Sequence, residues 1–278
     1  MNVYAQNETD TLNYVLMAYP QNFDIEEVIN VMQRKYVGQI DHELANQQYN
    51  DFVNTLIAQG VKVQFLNIID SPEQVYTRDI GFVIQDILFI STMAKNIRKS
   101  EPDALLSFFS DESVKIHEMI NTAEGGDVMV HHNKVFIGLS KRTTPEAVEE
   151  IQAVLTKHNL DIEVIPVKFN TDQLHLDCVF NTLDQDSCIL TDHVLNPEVI
   201  TPHFKNIHTM SGRDVEYLAT NFVHIGNKKI ISTNKTMTNK LKELGYESIY
   251  LPYSEFIKSG GSVRCSTLPI SRLKEVTD

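Results

Sequence analysis

Cysteine is scarce in this chain: three residues in 278, Cys178, Cys188 and Cys265. An odd set without regular spacing implies neither a disulfide framework nor a zinc cluster, and it favours a reducing compartment. Basic residues are also short, 24 Lys and Arg against 37 Asp and Glu, and the net charge of −13 argues against nucleic-acid binding, which needs a basic face. A cationic ligand suits such a balance better. No stretch approaches the ~20 apolar residues of a membrane span. The opening Met1-Asn2-Val3-Tyr4-Ala5-Gln6-Asn7-Glu8 has no basic region leading into an apolar core, so no secretory signal is read and the cytoplasm is the expected location. No Pro/Gly/Ser-rich linker or low-complexity run interrupts the chain, so residues 1–278 are expected to form one domain.

What is present is a weak internal repeat. Pairs of apolar runs flank short polar turns: Phe82–Ile84 with Leu88–Ile90, Val128–Val130 with Val135–Ile137, Val179–Phe180 with Ile189–Leu190, and Phe222–Ile225 with Ile230–Ile231. The turns carry Gln85-Asp86, His132-Asn133-Lys134, Asp184-Gln185-Asp186 and Gly226-Asn227-Lys228, residues suited to hairpins. Helical patterns follow. One starts at Pro145 with apolar positions 147, 148, 151 and 154, and another is expected over Met237–Leu244 with Thr236 as N-cap and Gly245 ending it. Strands are then expected at Ile162–Pro166 and Ser248–Pro252, and a first unit joins a strand Tyr14–Ala18, a helix near Glu43–Gln59 and a strand Val61–Leu66. The spacing predicts an α/β fold of about five strand–strand–helix–strand units in a pseudo-symmetric propeller.

The chemistry-bearing residues stand at equivalent places in those units. Gly260-Gly261-Ser262-Val263-Arg264-Cys265 sets a thiol after a glycine pair and beside a cation, which would lower its pKa toward neutrality. A lone cysteine is more often a buried structural thiol. Against that reading stand His175 and Asp177, expected on one face of a strand, and the acids Asp79 and Glu124, each just before a hairpin. If the units surround an axis, these positions converge.

In this order, Thr77-Arg78-Asp79, Glu124-Gly125-Gly126-Asp127, His175-Leu176-Asp177 and the Cys265 motif resemble the guanidine-modifying enzymes. That superfamily includes arginine deiminases, dimethylarginine dimethylaminohydrolases and amidinotransferases, all with the five-bladed pentein fold. The resemblance spans almost the whole chain and implies a role for each position. Cys265 would attack the guanidinium carbon. His175 would protonate the departing amine and then activate water, with Glu124 orienting it. Asp79 and Asp177 would hold the guanidinium nitrogens. Arg98 and Arg142 would meet the substrate carboxylate, and Glu73 its α-amino group. The elementary chemistry agrees, because a guanidinium is a planar fork of donors best matched by carboxylates. A covalent intermediate also divides a hard hydrolysis into two easier steps.

The resemblance implies an arginine-type small-molecule substrate and no cofactor or metal; a homodimer is a family-level expectation. The length, without an inserted helical domain, is that of the dimethylarginine hydrolases, yet those usually carry lysine where this chain has Asp177. A second aspartate suits an unsubstituted guanidinium. Arginine, its methylated forms and a related guanidine all stay open as substrates of a hydrolase, with amidino transfer to an amine as the alternative and a non-catalytic binding protein less favoured. Asp127 is expected to bond the turn after its glycines, Cys178 to point away from the site, and His131-His132 to be solvated turn residues.

Overall fold

The computed structural model describes residues 2–110, 112–211 and 218–274. Among the described residues fifteen strands form five sheets of three, each built the same way. A first strand pairs antiparallel with a middle strand, and the middle strand pairs parallel with a third. Four sheets take their strands in chain order. They are β3 (Gly81–Ile84), β4 (Ile87–Ile90) and β5 (Lys115–Glu118); β6 (Val128–His131), β7 (Lys134–Leu139) and β8 (Glu163–Lys168); β9 (Phe180–Thr182), β10 (Ser187–Thr191) and β11 (Asn206–Met210); and β12 (Val223–Gly226), β13 (Lys229–Ser232) and β14 (Glu247–Tyr250). The remaining sheet joins the two ends of the chain. Its middle strand β1 (Thr11–Met17) pairs parallel with β2 (Lys62–Phe65) and antiparallel with the last strand, β15 (Leu268–Leu273).

The expected hairpins are all present. Three of their turns are tight because Gln85, His132 and Asn227 take left-handed φ values of 53°, 55° and 52°, the conformation a two-residue hairpin requires. A parallel third strand needs a crossover, and helices supply most of them. They are α1 (Gln33–Tyr36) with α2 (His42–Ala58), then α3 (Glu101–Phe108), α4 (Pro145–Lys157) and α5 (Lys235–Glu243); another helix, α6 (Ser254–Lys258), precedes β15.

Pro145 opens α4 as expected, behind the cap Thr144. Helix α5 begins earlier than its apolar period suggests: Asn234, not Thr236, is the cap, accepting a 2.8 Å hydrogen bond from the Met237 N–H. Gly245 lies just past the helix at φ 89°, where a glycine is favoured. The fourth unit departs from the pattern. Its crossover holds two short 3-10 turns, Pro197–Val199 and Thr201–His203, each with a proline that cannot serve a helix interior.

First strands are buried on both faces, whereas third strands lie further out: β5 is largely exposed and β2 mostly half-buried. Five apolar clusters fill the spaces between successive sheets. One joins Phe82 and Phe89 to Val128 and Ile137, and another joins Val223 and Ile231 of the β12 sheet to Val15 and Met17 of β1. His131 belongs to this interior. It is 4 % exposed and packs 4.6 Å from the Phe204 ring, so it is a core residue rather than a solvated turn histidine.

Each first strand is entered through a turn, and hydrogen bonds link the five turns into a ring. Arg78 N donates to Cys265 O (2.9 Å) and Gly125 N to Asp79 O (3.1 Å). Leu176 N donates to Asp127 Oδ1 (2.9 Å), Thr220 Oγ1 to Asp177 O (3.0 Å), and Asn221 Nδ2 to Cys265 Sγ (3.3 Å). The ring brings side chains from residues 79 to 265 to one place.

Candidate active site

Cys265 sits in the turn before β15 and is 2 % exposed. Arg264 does not bring the thiol pKa down on balance as expected. Its guanidinium turns to Glu8, 3.0 Å from Nη1 to Oε2, and its Nε lies 3.3 Å from Asp177 Oδ2. Burial, reinforced by Asp177 and Asp79, holds the thiol pKa well above its ordinary value. In the protein alone Cys265 is therefore a thiol, not a preformed thiolate.

His175 and Asp177 are not strand residues. His175 is the N-cap of the 3-10 turn Leu176–Cys178, and Asp127 holds that turn by accepting the Leu176 N–H. Asp127 thus braces its neighbour's turn and Ser140 (2.6 Å) rather than its own. Gly126 is required here because a Cβ would stand 2.6 Å from His175 Nδ1. His175 Nε2 meets Glu124 Oε2 at 2.9 Å, and Nδ1 faces Asp79 Oδ1 at 3.6 Å. Burial alone would lower the imidazole pKa, but Asp79 and the bond to Glu124 outweigh it and push it up to about 9. For Glu124 burial acts upward, and His175 with Arg142 brings the pKa down to about 2. The pair is a buried imidazolium and carboxylate.

Both arginines expected to meet a substrate carboxylate hold site carboxylates in this structure. Arg98 donates to Asp79 Oδ2 (2.6 Å) and to Glu101 Oε2 from Nη2 (2.7 Å) and Nε (3.0 Å). Arg142 Nη1 lies 3.3 and 3.2 Å from the two Glu124 oxygens, and its Nη2 donates to Ile29 O. Arg142 also lines a surface cleft with Lys95 and Lys141, whereas Arg98 does not. Glu73 is buried, accepts a short hydrogen bond from Gln33, and is pushed by burial to a pKa of about 7. Cys178 lies in the apolar cluster between the third and fourth sheets, with its Sγ 3.5 Å from Asp177 Oδ1.

Four residues leave little trace in the sequence. Asn221, in the fifth entry turn, donates to Cys265; its place just before the Phe222–Ile225 run is the available signal. Glu8 lies beneath the site between Arg78 (2.8 Å) and Arg264 (3.0 Å). Asn30 and Gln33 tie the start of α1 to Ser259, in the turn that leads to Cys265.

Buried polar atoms without a hydrogen bond gather here: Asp79 Oδ1, Asp177 Oδ2, Asn221 Oδ1, His175 Nδ1 and Arg264 Nε. A buried unmet acceptor costs about 1–3 kcal/mol, so such a cluster marks where a ligand belongs. Asp79, Glu124 and His175 also offer ligand-type atoms within 4.8 Å of one another. Arg98 and Arg142 already neutralise two of those carboxylates, and the unmet acceptors extend to Asp177 and Asn221, so the arrangement suits a cation rich in N–H donors better than a metal ion.

The chain is a member of the guanidine-modifying superfamily, and its fold matches pentein structures. The chain belongs to the family described as "N,N dimethylarginine dimethylhydrolase, eukaryotic", which matches residues 19–272. The uncharacterized protein YkgA of Bacillus subtilis is 35 % identical over 275 residues, spanning 96 % of this chain and 95 % of that one. Among solved structures, the N-terminal domain of ArgZ, an arginine dihydrolase from cyanobacteria, aligns with a TM-score of 0.84 at 22 % identity, over 93 % of this chain and 98 % of that one. SxtG, an amidinotransferase from Microseira wollei, aligns with a TM-score of 0.82 at 17 % identity, over 99 % of each chain. The two structural likenesses establish the fold and not the reaction.

Proposed function

We propose that residues 1–278 act as one catalytic domain, its five sheets the blades of a pseudo-symmetric propeller. The reaction we propose is hydrolysis of an arginine-type guanidinium to a ureido product, citrulline from arginine, with release of ammonia or a methylamine. The observation that carries this reading is a pair of buried carboxylate oxygens that accept no hydrogen bond, Asp79 Oδ1 and Asp177 Oδ2, met only by the looser ion pairs to His175 Nδ1 (3.6 Å) and Arg264 Nε (3.3 Å) and gathered with buried Cys265. A planar cation with N–H donors on its edges satisfies both.

The same cation makes the nucleophile. Burial and two aspartates keep Cys265 protonated, and a guanidinium between them offsets that charge and lowers the cost of losing the thiol proton to solvent. The thiolate attacks the guanidinium carbon. His175, already protonated and held at Nε2 by Glu124, gives a proton from Nδ1 to the departing amine. The C–N bond breaks and a thiouronium remains on sulfur. Neutral His175 then takes a proton from water, whose oxygen attacks the same carbon. The C–S bond breaks, the ureido product leaves, and Cys265 is restored. Arg142, with Lys95 and Lys141 along the same cleft, would receive the substrate carboxylate, while Arg98 keeps Asp79 in place. Glu73 would face the α-amino group.

Asp177 favours an unsubstituted guanidinium, because a methylated nitrogen leaves an acceptor unmet at about 1–3 kcal/mol. The test is ureido release from L-arginine, with dimethylarginine in parallel and no amine acceptor. Product from either supports hydrolysis, and the better substrate settles the class. A new guanidine, with ornithine released from arginine, formed only when an amine is added would make the protein an amidinotransferase.

A further inference from the structure

Four entry turns present a charged or ionisable side chain to the site: Asp79, Glu124, His175 with Asp177, and Cys265. The fifth presents a neutral amide. Asn221 is 1 % exposed, its Nδ2 lies 3.3 Å from Cys265 Sγ, and its Oδ1 has no hydrogen bond. The turn that carries it is held on both sides. Asn181 Nδ2 donates to Thr220 O (2.8 Å) and Phe222 O (3.2 Å), and Thr220 Oγ1 donates to Asp177 O (3.0 Å). A buried amide fixed this firmly, with one end on a sulfur and the other unmet, is arranged for a ligand.

We infer that Asn221 holds the nucleophile: its N–H keeps Cys265 Sγ in the attacking position and stabilises the thiolate, and its Oδ1 accepts an N–H of the bound guanidinium. The second half rests on the hydrolase reading; the first rests on the contact with sulfur alone. An amide suits the place. The groups acting electrostatically on Cys265 are Asp79, Asp177, Tyr76, Tyr253, Cys178 and Arg264, and Arg264 is engaged by Glu8. A further carboxylate would oppose ionisation, whereas an N–H dipole supports it without adding charge.

The experiment compares wild type with Asn221→Ala, the near-isosteric Asn221→Leu and the donor-keeping Asn221→Ser. Iodoacetamide labelling of Cys265 is followed by mass spectrometry of its peptide at one alkaline pH, without substrate, and folding is checked by thermal melts. Loss of a hydrogen bond to a charged sulfur should slow labelling about tenfold to a hundredfold in Ala and Leu, with Ser between. The kcat should fall in the same order, and KM for arginine should rise in Ala and Leu. A merely structural role predicts the opposite sign, because a loosened turn exposes the thiol and speeds labelling. Unchanged or faster labelling in folded Ala or Leu variants would overturn the inference. Should the wild type hydrolyse no guanidine, the hydrolase reading fails in that assay, while the labelling rates still decide the sulfur contact.

Discussion

Glu124 and His175 share a 2.9 Å hydrogen bond in which neither side chain is exposed. The carboxylate keeps the imidazole charged and fixes Nε2, leaving Nδ1 as the end that faces Asp79 and the reacting centre.

The first prediction concerns that bond. The His175 pKa is raised from 6.5 to about 9, so its stabilising contribution is complete below about pH 6.5 and is lost as pH rises through 9. That of Glu124 is lowered from 4.5 to about 2, so its contribution is present above about pH 4.5 and is lost as pH falls through 2. Glu124→Gln should bring the His175 titration, followed by NMR of the ring, well below 9. Its loss of stability against urea should be greatest between those limits. A His175 that titrates near 6.5 in wild type would refute the pairing.

Glu8 is the shared partner of Arg78 and Arg264, all three buried. Removing it in Glu8→Ala leaves buried Arg78 without a carboxylate and Arg264 with Asp177 alone, at a cost of about 3–5 kcal/mol. Chemical denaturation should show a loss of that order. A change below about 1 kcal/mol would mean that water reaches the cluster.

Gly126→Ala places a Cβ 2.6 Å from His175 Nδ1 and 3.0 Å from Asp79 Oδ1. The imidazole must shift, and a displacement near 1 Å at a reacting group costs about a hundredfold in rate. We expect kcat to fall by that order while the circular dichroism spectrum is kept.

Asp177→Asn replaces an acceptor by an amide whose NH2 meets the donors of a guanidinium. The kcat/KM for arginine should fall at least about tenfold to a hundredfold, the worth of one charge-assisted hydrogen bond. Unchanged kinetics would mean that Asp177 does not touch the substrate.

How far the sequence speaks for itself depends on what each residue reveals locally. The four hairpins are legible because continuous apolar runs and turn residues lie side by side, and the four motif turns because thiol, imidazole and carboxylates stand at corresponding places in the repeat. Strand β15 is hidden: it contains Pro269 and pairs with a strand at the other end of the chain. It is also what moves Cys265 from the end of the last unit to the entry of the first. Asn221 is hidden because a neutral amide in Ala219-Thr220-Asn221 reads as ordinary loop. Glu8 is hidden because its partners stand 70 and 256 residues away. The thiol pKa is misread from sequence for a related reason. Adjacency to Arg264 suggests a nearby cation, but the guanidinium points to Glu8, and burial decides the outcome.

The claim on which the rest depends is that Cys265 attacks the guanidinium carbon. The most direct test is a single-turnover reaction with L-arginine, quenched in acid, in which the Cys265 peptide is weighed and ureido product counted for wild type and Cys265→Ala. Attack by Cys265 predicts a wild-type peptide heavier by one arginine less one ammonia. The variant should still bind arginine, with neither adduct nor product. Ureido product formed by Cys265→Ala at the wild-type rate would contradict it.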